Sequence, residues 1–406
     1  MTETMPEPDP LLAEAMSAHQ AGRVDEAREI YERILGLRPR DADALNFLGM
    51  LEYTQGHGPR AAELLQESVS SAPQNVHAWV NLGNVLAGLE RDEEALQAYR
   101  QATEVAPEHW PGWFNQGVLL RRLRRYDEAI RCLTTAISLK PNHDRAYAGL
   151  GRLLYRQGQL GELAELAADW LRHNPENPAA RHMLAAVTGE NVPDRASTAY
   201  VAAAFDAFAD SFDDNLRELD YCAPRLLSEA LGRQRPAHGG LDILDAGAGT
   251  GLCGPLLRPH AGRLVGVDLS AGMLAKARER GCYDELESGE LVEFMRGLPA
   301  AFDVVLSADT LVYFGALEEV VTAAWSTLRP GGRLLFTVER WPGAAPGDRF
   351  RIRPHGRYQH APAYLRSVLV ASGFEVLELA EVVLRKELGA DVEGLAVVAG
   401  KAGPEP

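Results

Sequence analysis

Polar and apolar positions along the chain follow two patterns. In the first half they return at a fixed interval: Pro39, Pro73, Pro107, Pro141 and Pro175 stand 34 residues apart. Gly49, Gly83, Gly117 and Gly151 each follow a proline by ten residues, Ala27, Ala61, Ala95 and Ala129 each precede one by twelve, and Trp79, Trp113 and Tyr147 hold the fourth place of their units. Small residues at two fixed places, a bulky one at a third and a closing proline predict pairs of antiparallel helices stacked in series. In the second half short apolar runs replace that period: Leu241, Ile243 and Leu244, then Val265 and Val267, then 302–309 ending in an acid, then 333–338. Runs this short and this continuously apolar predict buried parallel strands. Between them 272–278 reads as a helix, and 328–332 ends another with Pro and Gly before the 333–338 strand. Two last strands near 375–384 and 395–398, with 386–391 between them, predict a closing antiparallel hairpin. Ahead of all these, 200–213 reads as one helix that carries Phe205, Phe208 and Phe212 on one face.

The second half also holds the chain's most specific chemistry. The apolar run from Leu241, with Asp245 at its end, leads into a turn with Gly247, Gly249 and Gly251, and the next strand ends on Asp268, 21 residues after Gly247. Glycines let the backbone turn sharply and approach a ligand, and one carboxylate so placed suits both ribose hydroxyls of an adenosine. Gly249, Gly251 and Gly254 also satisfy the dinucleotide spelling Gly-x-Gly-x-x-Gly. Asp245 argues the other way, because an acid at the strand end repels a pyrophosphate and suits the ammonium and sulfonium of S-adenosylmethionine. Asp-x-Gly-x-Gly-x-Gly with a second-strand acid resembles motif I and its successor in class I methyltransferases, and Leu-x-Pro-Gly-Gly-x-Leu at 328–334 is similar to the turn before that family's fifth strand.

That resemblance covers about 196–401. It implies a Rossmann-like α/β domain with a mostly parallel seven-stranded sheet, S-adenosyl-L-methionine as cofactor, and a site along the carboxyl ends of the strands. The cofactor residues it implies are Asp245, Ala246, Gly247, Gly249 and Gly251 at the turn and Asp268 at the ribose. Leu269 and Met273 would pack on the adenine, with Glu290 and Leu291 at its amino group. Asp309, Thr310 and Tyr313 would stand where the methyl acceptor approaches, with Asp309 equally able to hold the strand-end loop or the methionine ammonium. The spelling Phe-Asp-x-x-Ala-x-x-Phe-Asp over 205–213 resembles a helix that lies over the cofactor in this family, with a core-facing aromatic stripe as the alternative.

The 34-residue marks resemble tetratricopeptide repeats. Five units fit from about Pro8 to Pro175, the outer two being weaker, with Ala15 in place of Gly and Leu163 in place of Ala. The expected organisation is an α-solenoid repeat domain over 8–187, a linker over 188–197 and the methyltransferase domain over 198–402. Trp79, Trp113 and Tyr99 read as packing residues. Asn81 and Asn115 fall at place six of their units, on helices that in this family line a concave groove and often bind the backbone of an extended peptide; Asn46 and Asn84 fall off that place. A protein or peptide partner is therefore expected. The Gly-Arg-Tyr-x-His run ending at His360 resembles bacterial tetratricopeptide–methyltransferase fusions.

Composition narrows the partners. A net charge of −16 disfavours nonspecific binding to nucleic acid or an anionic membrane. Cys132, Cys222, Cys253 and Cys282 lack CxxC spacing, and no apolar stretch near the start resembles a signal peptide or membrane span, so a cytoplasmic protein with reduced thiols is expected. No metal cluster is evident. Arg349, Arg351, Arg353 and Arg357, with His355, Tyr358 and His360, form a local reversal of charge that reads either as a solvated face or as a wall for an anionic acceptor. Methyl transfer requires an aligned nucleophile above all, and a general base only where the acceptor must shed a proton. Asp309 and Tyr313 are the weak candidates for that role. The sequence thus reads as a methyltransferase acting on an acceptor recruited by the repeats; the alternatives are a cofactor-binding adaptor without activity, or an enzyme for small molecules or glycans with repeats used for assembly.

Overall fold

In the first half the 34-residue period is a period of helix pairs. Pro10–Gln20 and Val24–Leu37 are followed by Ala42–Thr54 and Gly58–Ser71, Val76–Gly88 and Asp92–Val105, Trp110–Arg122 and Tyr126–Leu139, and then by Asp144–Arg156, Leu160–His173 and Pro178–Thr188. The structure, a computed structural model, describes residues 9–206, 208–235, 237 and 239–403. The expected first repeat residue, Pro8, lies outside them. Several helices start on a side-chain cap: Asp41 Oδ1 accepts from the Ala44 amide and Asn75 Oδ1 from the Ala78 amide.

Close packing explains the repeated small residues. A Cβ on Gly83 would stand 2.4 Å from the Tyr99 ring, and one on Gly49 or Gly117 would stand 2.9 Å from Leu65 or Leu133. A large side chain of each second helix therefore lies directly on the backbone of the first. Ala27, Ala61, Ala95 and Ala129 are fully buried. Trp79 and Trp113 donate their indole N–H to the carbonyls of Pro73 and Pro107, both at 2.8 Å, which fixes each fourth-place aromatic against the proline that closes the preceding unit.

The chain divides into two compact units. One runs to Gln159 and includes Arg172–Asn174; the other holds Leu160–Leu171 and the rest of the chain from Pro175 onward. The second unit is built on a nine-stranded sheet: β1 (Leu241–Ala246), β2 (Ala261–Asp268), β3 (Glu285–Ser288), β4 (Phe302–Ser307), β5 (Leu328–Arg340), β6 (Phe350–Ile352), β7 (Tyr358–His360), β8 (Phe374–Glu387) and β9 (Ala390–Lys401). Strands β3, β2, β1, β4 and β5 are parallel in that order, β9 joins β5 antiparallel and β8 joins β9. These are the seven expected strands. The other two, β6 and β7, form a hairpin inserted after β5, with β7 parallel to its last residues on the edge that β4 has left.

Burial on both faces accounts for the apolar runs. Ile243, Val304, Leu306 and Leu335 pack with Leu227 and Leu231 of the helix Ala223–Gln234 on one side of the sheet. Leu244, Val305, Leu334 and Phe336 pack with Val320, Val321, Leu365 and Leu369 of the helices Glu318–Thr327 and Pro362–Ala371 on the other.

Three expected boundaries shift. Strand β5 begins at Leu328, because Leu328 already pairs with Phe302 and the Pro-Gly-Gly stretch is an irregularity within the ladder. The loop expected over 386–391 shrinks to Leu388 and Gly389, both with positive φ, the two-residue turn whose twist matches a hairpin. The single helix expected over 200–213 is broken into Thr198–Asp206, a 3₁₀ turn at Ala209–Ser211 and Phe212–Glu218.

Candidate functional site

The turn after β1 does what its glycines predict. Gly247, Gly249 and Gly251 all have left-handed backbone, with φ of 86°, 55° and 82°, a conformation that costs any residue with a Cβ. A Cβ on Gly247 would also fall 2.0 Å from Thr310 Oγ1. Asp268 braces the turn from the next strand: Oδ2 accepts from the Gly249 amide and Oδ1 from the Ser270 amide, both at 2.9 Å. Each carboxylate oxygen accepts more than one hydrogen bond, so both retain capacity for a ribose.

Asp245 is completely buried. Its Oδ2 accepts from the Tyr283 hydroxyl at 2.6 Å, and its Oδ1 has no partner among the described residues. Burial pushes this carboxyl up to about 7, against the lowering effect of the Tyr283 hydroxyl. A buried carboxylate with an empty oxygen fits a cationic group of a cofactor. Ala246 is buried in the sheet, Met273 is buried under the helix start where its amide donates to Ser270 Oγ, and Leu269 is half-buried.

Other candidates have structural duties. Glu290 caps the helix Leu291–Arg296, with Oε2 accepting from the Glu293 amide at 2.9 Å and Oε1 paired to Arg195 at 3.0 Å. Leu291 belongs to the core cluster of the sheet. Asp309 has positive φ, its amide donates to Thr337 Oγ1 at 2.9 Å, and its carboxylate is ion-paired with Arg385. As a general base it is thus already engaged. Tyr313 meets Phe205 edge to face at 5.5 Å between ring centres, and its hydroxyl makes no hydrogen bond among the described residues. Burial raises its pKa.

The basic stretch after β5 is largely paired within the fold. Arg357 pairs with Glu339 and Glu387, and Arg349 pairs with Glu318 at 2.6 Å. Arg351 binds Gln359, with its guanidinium over the Trp341 ring. Tyr358 and His360 are buried. Of the four arginines, Arg349 and Arg353 are exposed, and Arg351 and Arg357 are half-buried. Glu339 is fully buried between Arg357 and Arg385, and although burial alone would raise it, Arg357, His355 and Arg385 hold it down at about 2.

Three further residues of the site escaped the sequence reading, Tyr283, Glu339 and Arg385, and the two acids of the Phe-Asp spelling fasten the segment before the sheet. Asp206 accepts from Ser270 Oγ and from the Gly272 amide, and Asp213 accepts from Thr250 Oγ1 and pairs with Arg280. The broken helix therefore lies over the glycine turn on two carboxylate hooks. Its spelling with two Phe-Asp pairs contained this signal. The segment 193–196 is fastened too, since the Asp194 carbonyl accepts from the Gly315 and Ala316 amides and the Ala196 amide donates to the Tyr313 carbonyl.

Comparison with known proteins agrees with this geometry. The family model of a methyltransferase domain matches 244–334, and that of a tetratricopeptide repeat matches 12–75, 48–109 and 114–178. The chain joins tetratricopeptide repeats to a methyltransferase domain. That domain is similar to a probable S-adenosylmethionine-dependent methyltransferase of Mycolicibacterium smegmatis, 31% identical over 35% of this chain and 56% of the relative. It is also similar to a malonyl-[acyl-carrier protein] O-methyltransferase of Enterobacter lignolyticus, 34% identical over 34% and 53%, and to human methyltransferase-like protein 27, 33% identical over 40% and 64%. The chain spans about half the length of the first two relatives. Among the described residues no group of three or more His, Cys, Asp or Glu could hold a metal ion, and no helix is long and apolar enough to cross a membrane.

Proposed function

We propose that this chain is an S-adenosylmethionine-dependent methyltransferase whose acceptor is carried by a protein or peptide held by the repeats. The observation that carries the reading is the turn of three left-handed glycines braced by Asp268, with a buried, unpartnered Asp245 oxygen beside it. In function, 8–187 recruits, 188–197 links and 198–402 binds cofactor. The cofactor supplies a methyl group on a sulfonium. Asp268 takes the ribose hydroxyls, Asp245 faces the ammonium, and Asp206 and Asp213 hold the overlying segment closed and exclude water. With Asp309 tied to Arg385, the Tyr313 hydroxyl is the group left to meet an acceptor.

Two observations support a carried acceptor. The repeats place Asn81 and Asn115 on first helices, paired with Asn46 and Asn84 of the preceding units at 2.9 Å, so a row of amides runs from one repeat to the next. The name of the Enterobacter relative likewise describes a substrate borne on a protein.

Calorimetry with S-adenosylmethionine and with NAD tests the cofactor, and binding of NAD as tight as that of S-adenosylmethionine would refute it. Methyl-labelled cofactor added with the full chain to a fractionated lysate tests the rest. Label in protein is the expected result, label in small molecules alone defeats the recruited acceptor, and no label despite binding leaves an adaptor.

A further inference from the structure

Tyr283 lies between the helix Ala271–Glu279 and β3, far in sequence from the turn it supports. Its ring occupies space that glycines keep open: a Cβ on Gly251, Gly254 or Gly266 would stand 3.0, 2.8 or 3.1 Å from ring atoms. Gly251 belongs to the turn after β1, Gly254 opens the short helix Gly254–Leu257 that follows it, and Gly266 lies in β2. Glycine there makes room for a phenol as well as for a ligand. The ring also lines a cavity of about 200 Å³ with Ala277, Arg278, Gly281, Asp284 and Leu286, and its hydroxyl reaches past the glycines to Asp245 Oδ2 at 2.6 Å.

That contact leaves Asp245 divided. One oxygen holds a short hydrogen bond, and the other is buried without a partner. The titratable groups around it are Tyr283, Asp268, Cys253 and Tyr221, and none of them is a cation. An unpaired buried carboxylate oxygen is costly in the free protein, so a cation arriving at the turn relieves it.

We propose that Tyr283 is a positioning residue for the cofactor site, whose hydroxyl fixes Asp245 through Oδ2 and keeps it an anion with Oδ1 turned to the cofactor ammonium. This role rests on S-adenosylmethionine being the cofactor. Burial already drives the Asp245 carboxyl up to about 7, and losing the Tyr283 hydroxyl removes the one donor that opposes that rise. A hydrogen bond to a charged group is worth about 1.5–3 kcal/mol, or about one to two pKa units.

The test is Tyr283→Phe, which keeps the ring against its three glycines. Calorimetry with S-adenosylmethionine at matched pH values from 6 to 9 gives the ratio of variant to parent Kd, in which titration of the ligand itself cancels. The expected ratio is about 10–100-fold at pH 6 and falls to within about twofold of one by pH 9, where Asp245 is largely ionised in both proteins. In Asp245→Asn the same Tyr283→Phe change should have no further effect, since the coupling has been removed. A ratio near one throughout, or a loss that does not change with pH, overturns the role of Tyr283. Failure of the parent chain to bind S-adenosylmethionine overturns the cofactor reading itself.

Discussion

Asp245 and Asp268 end neighbouring strands, yet their surroundings divide the work between them. Asp268 accepts the Gly249 amide of the turn and the Ser270 amide at the start of the next helix, whereas Asp245 receives a single phenol. Asp268→Ala therefore removes a ribose partner and frees the Gly249 amide together. S-adenosylmethionine should bind about 10–100-fold more weakly by calorimetry, the range of one or two charge-assisted hydrogen bonds. The repeats give a residue-scale prediction of a different kind. Gly83→Ala would put a methyl 2.4 Å from the Tyr99 ring, where Gly149→Ala would meet only ordinary contact at 3.5 Å from Leu133. The first should lower stability by about 1–3 kcal/mol and the second should not, as read by thermal unfolding.

At the scale of elements, the insertion between β5 and β8 is held by buried charge. Arg385 of β8 reaches Asp309 after β4 and Glu339 of β5, so replacing it with Met leaves Asp309 without its cation and Glu339 dependent on Arg357. Breaking such a cluster costs about 3–5 kcal/mol, whereas Arg353→Met, at an exposed place, should leave denaturant unfolding unchanged. His360 of β7 is fully buried, with Nε2 3.1 Å from the Gly315 carbonyl. Burial drives its pKa down to about 4. The unfolded chain takes up a proton near 6.5 and the folded chain only near 4, so stability falls as pH drops through that window, by about 3 kcal/mol in all. His182 and His355, also lowered by burial, act in the same direction. His360→Gln should flatten the acid limb of a stability–pH curve.

Elements of this kind mark where sequence patterns end. The helix pairs were legible because a 34-residue period repeats one local packing problem, and the parallel strands because burial on both faces leaves unbroken apolar runs. The arginines after β5 left a solvated face and an anion wall open because the partners of Arg357, Glu339 and Glu387, lie in other strands and follow no period. Tyr283 was invisible for the same reason, 38 residues from the acid it serves. Asp245 and Asp268 were legible through the glycine spelling, but the engagement of Asp309 and Glu290 with Arg385 and Arg195 depends on long-range pairing that no window contains.

At the scale of the whole molecule, a repeat array and a cofactor domain can be separated by measurement. Each repeat draws its stability from its own helices and from its neighbours, so a change on the amide row should not reach the glycine turn. Asn81→Ala with Asn115→Ala removes two donors whose partners, Asn46 and Asn84, remain. Some stability is lost, about 1 kcal/mol where Asn46 loses its donor, and a thermal scan should show it, whereas Asn84 Oδ1 still accepts from the Tyr99 hydroxyl at 2.8 Å. If the repeats deliver the acceptor, the double variant should keep the parent Kd for S-adenosylmethionine while label transferred into protein drops several-fold at limiting acceptor and recovers as acceptor is raised. That recovery separates recruitment from chemistry, because uniform binding is lost through KM and transition-state contacts through kcat. Undiminished transfer at limiting acceptor would show that these amides recruit nothing.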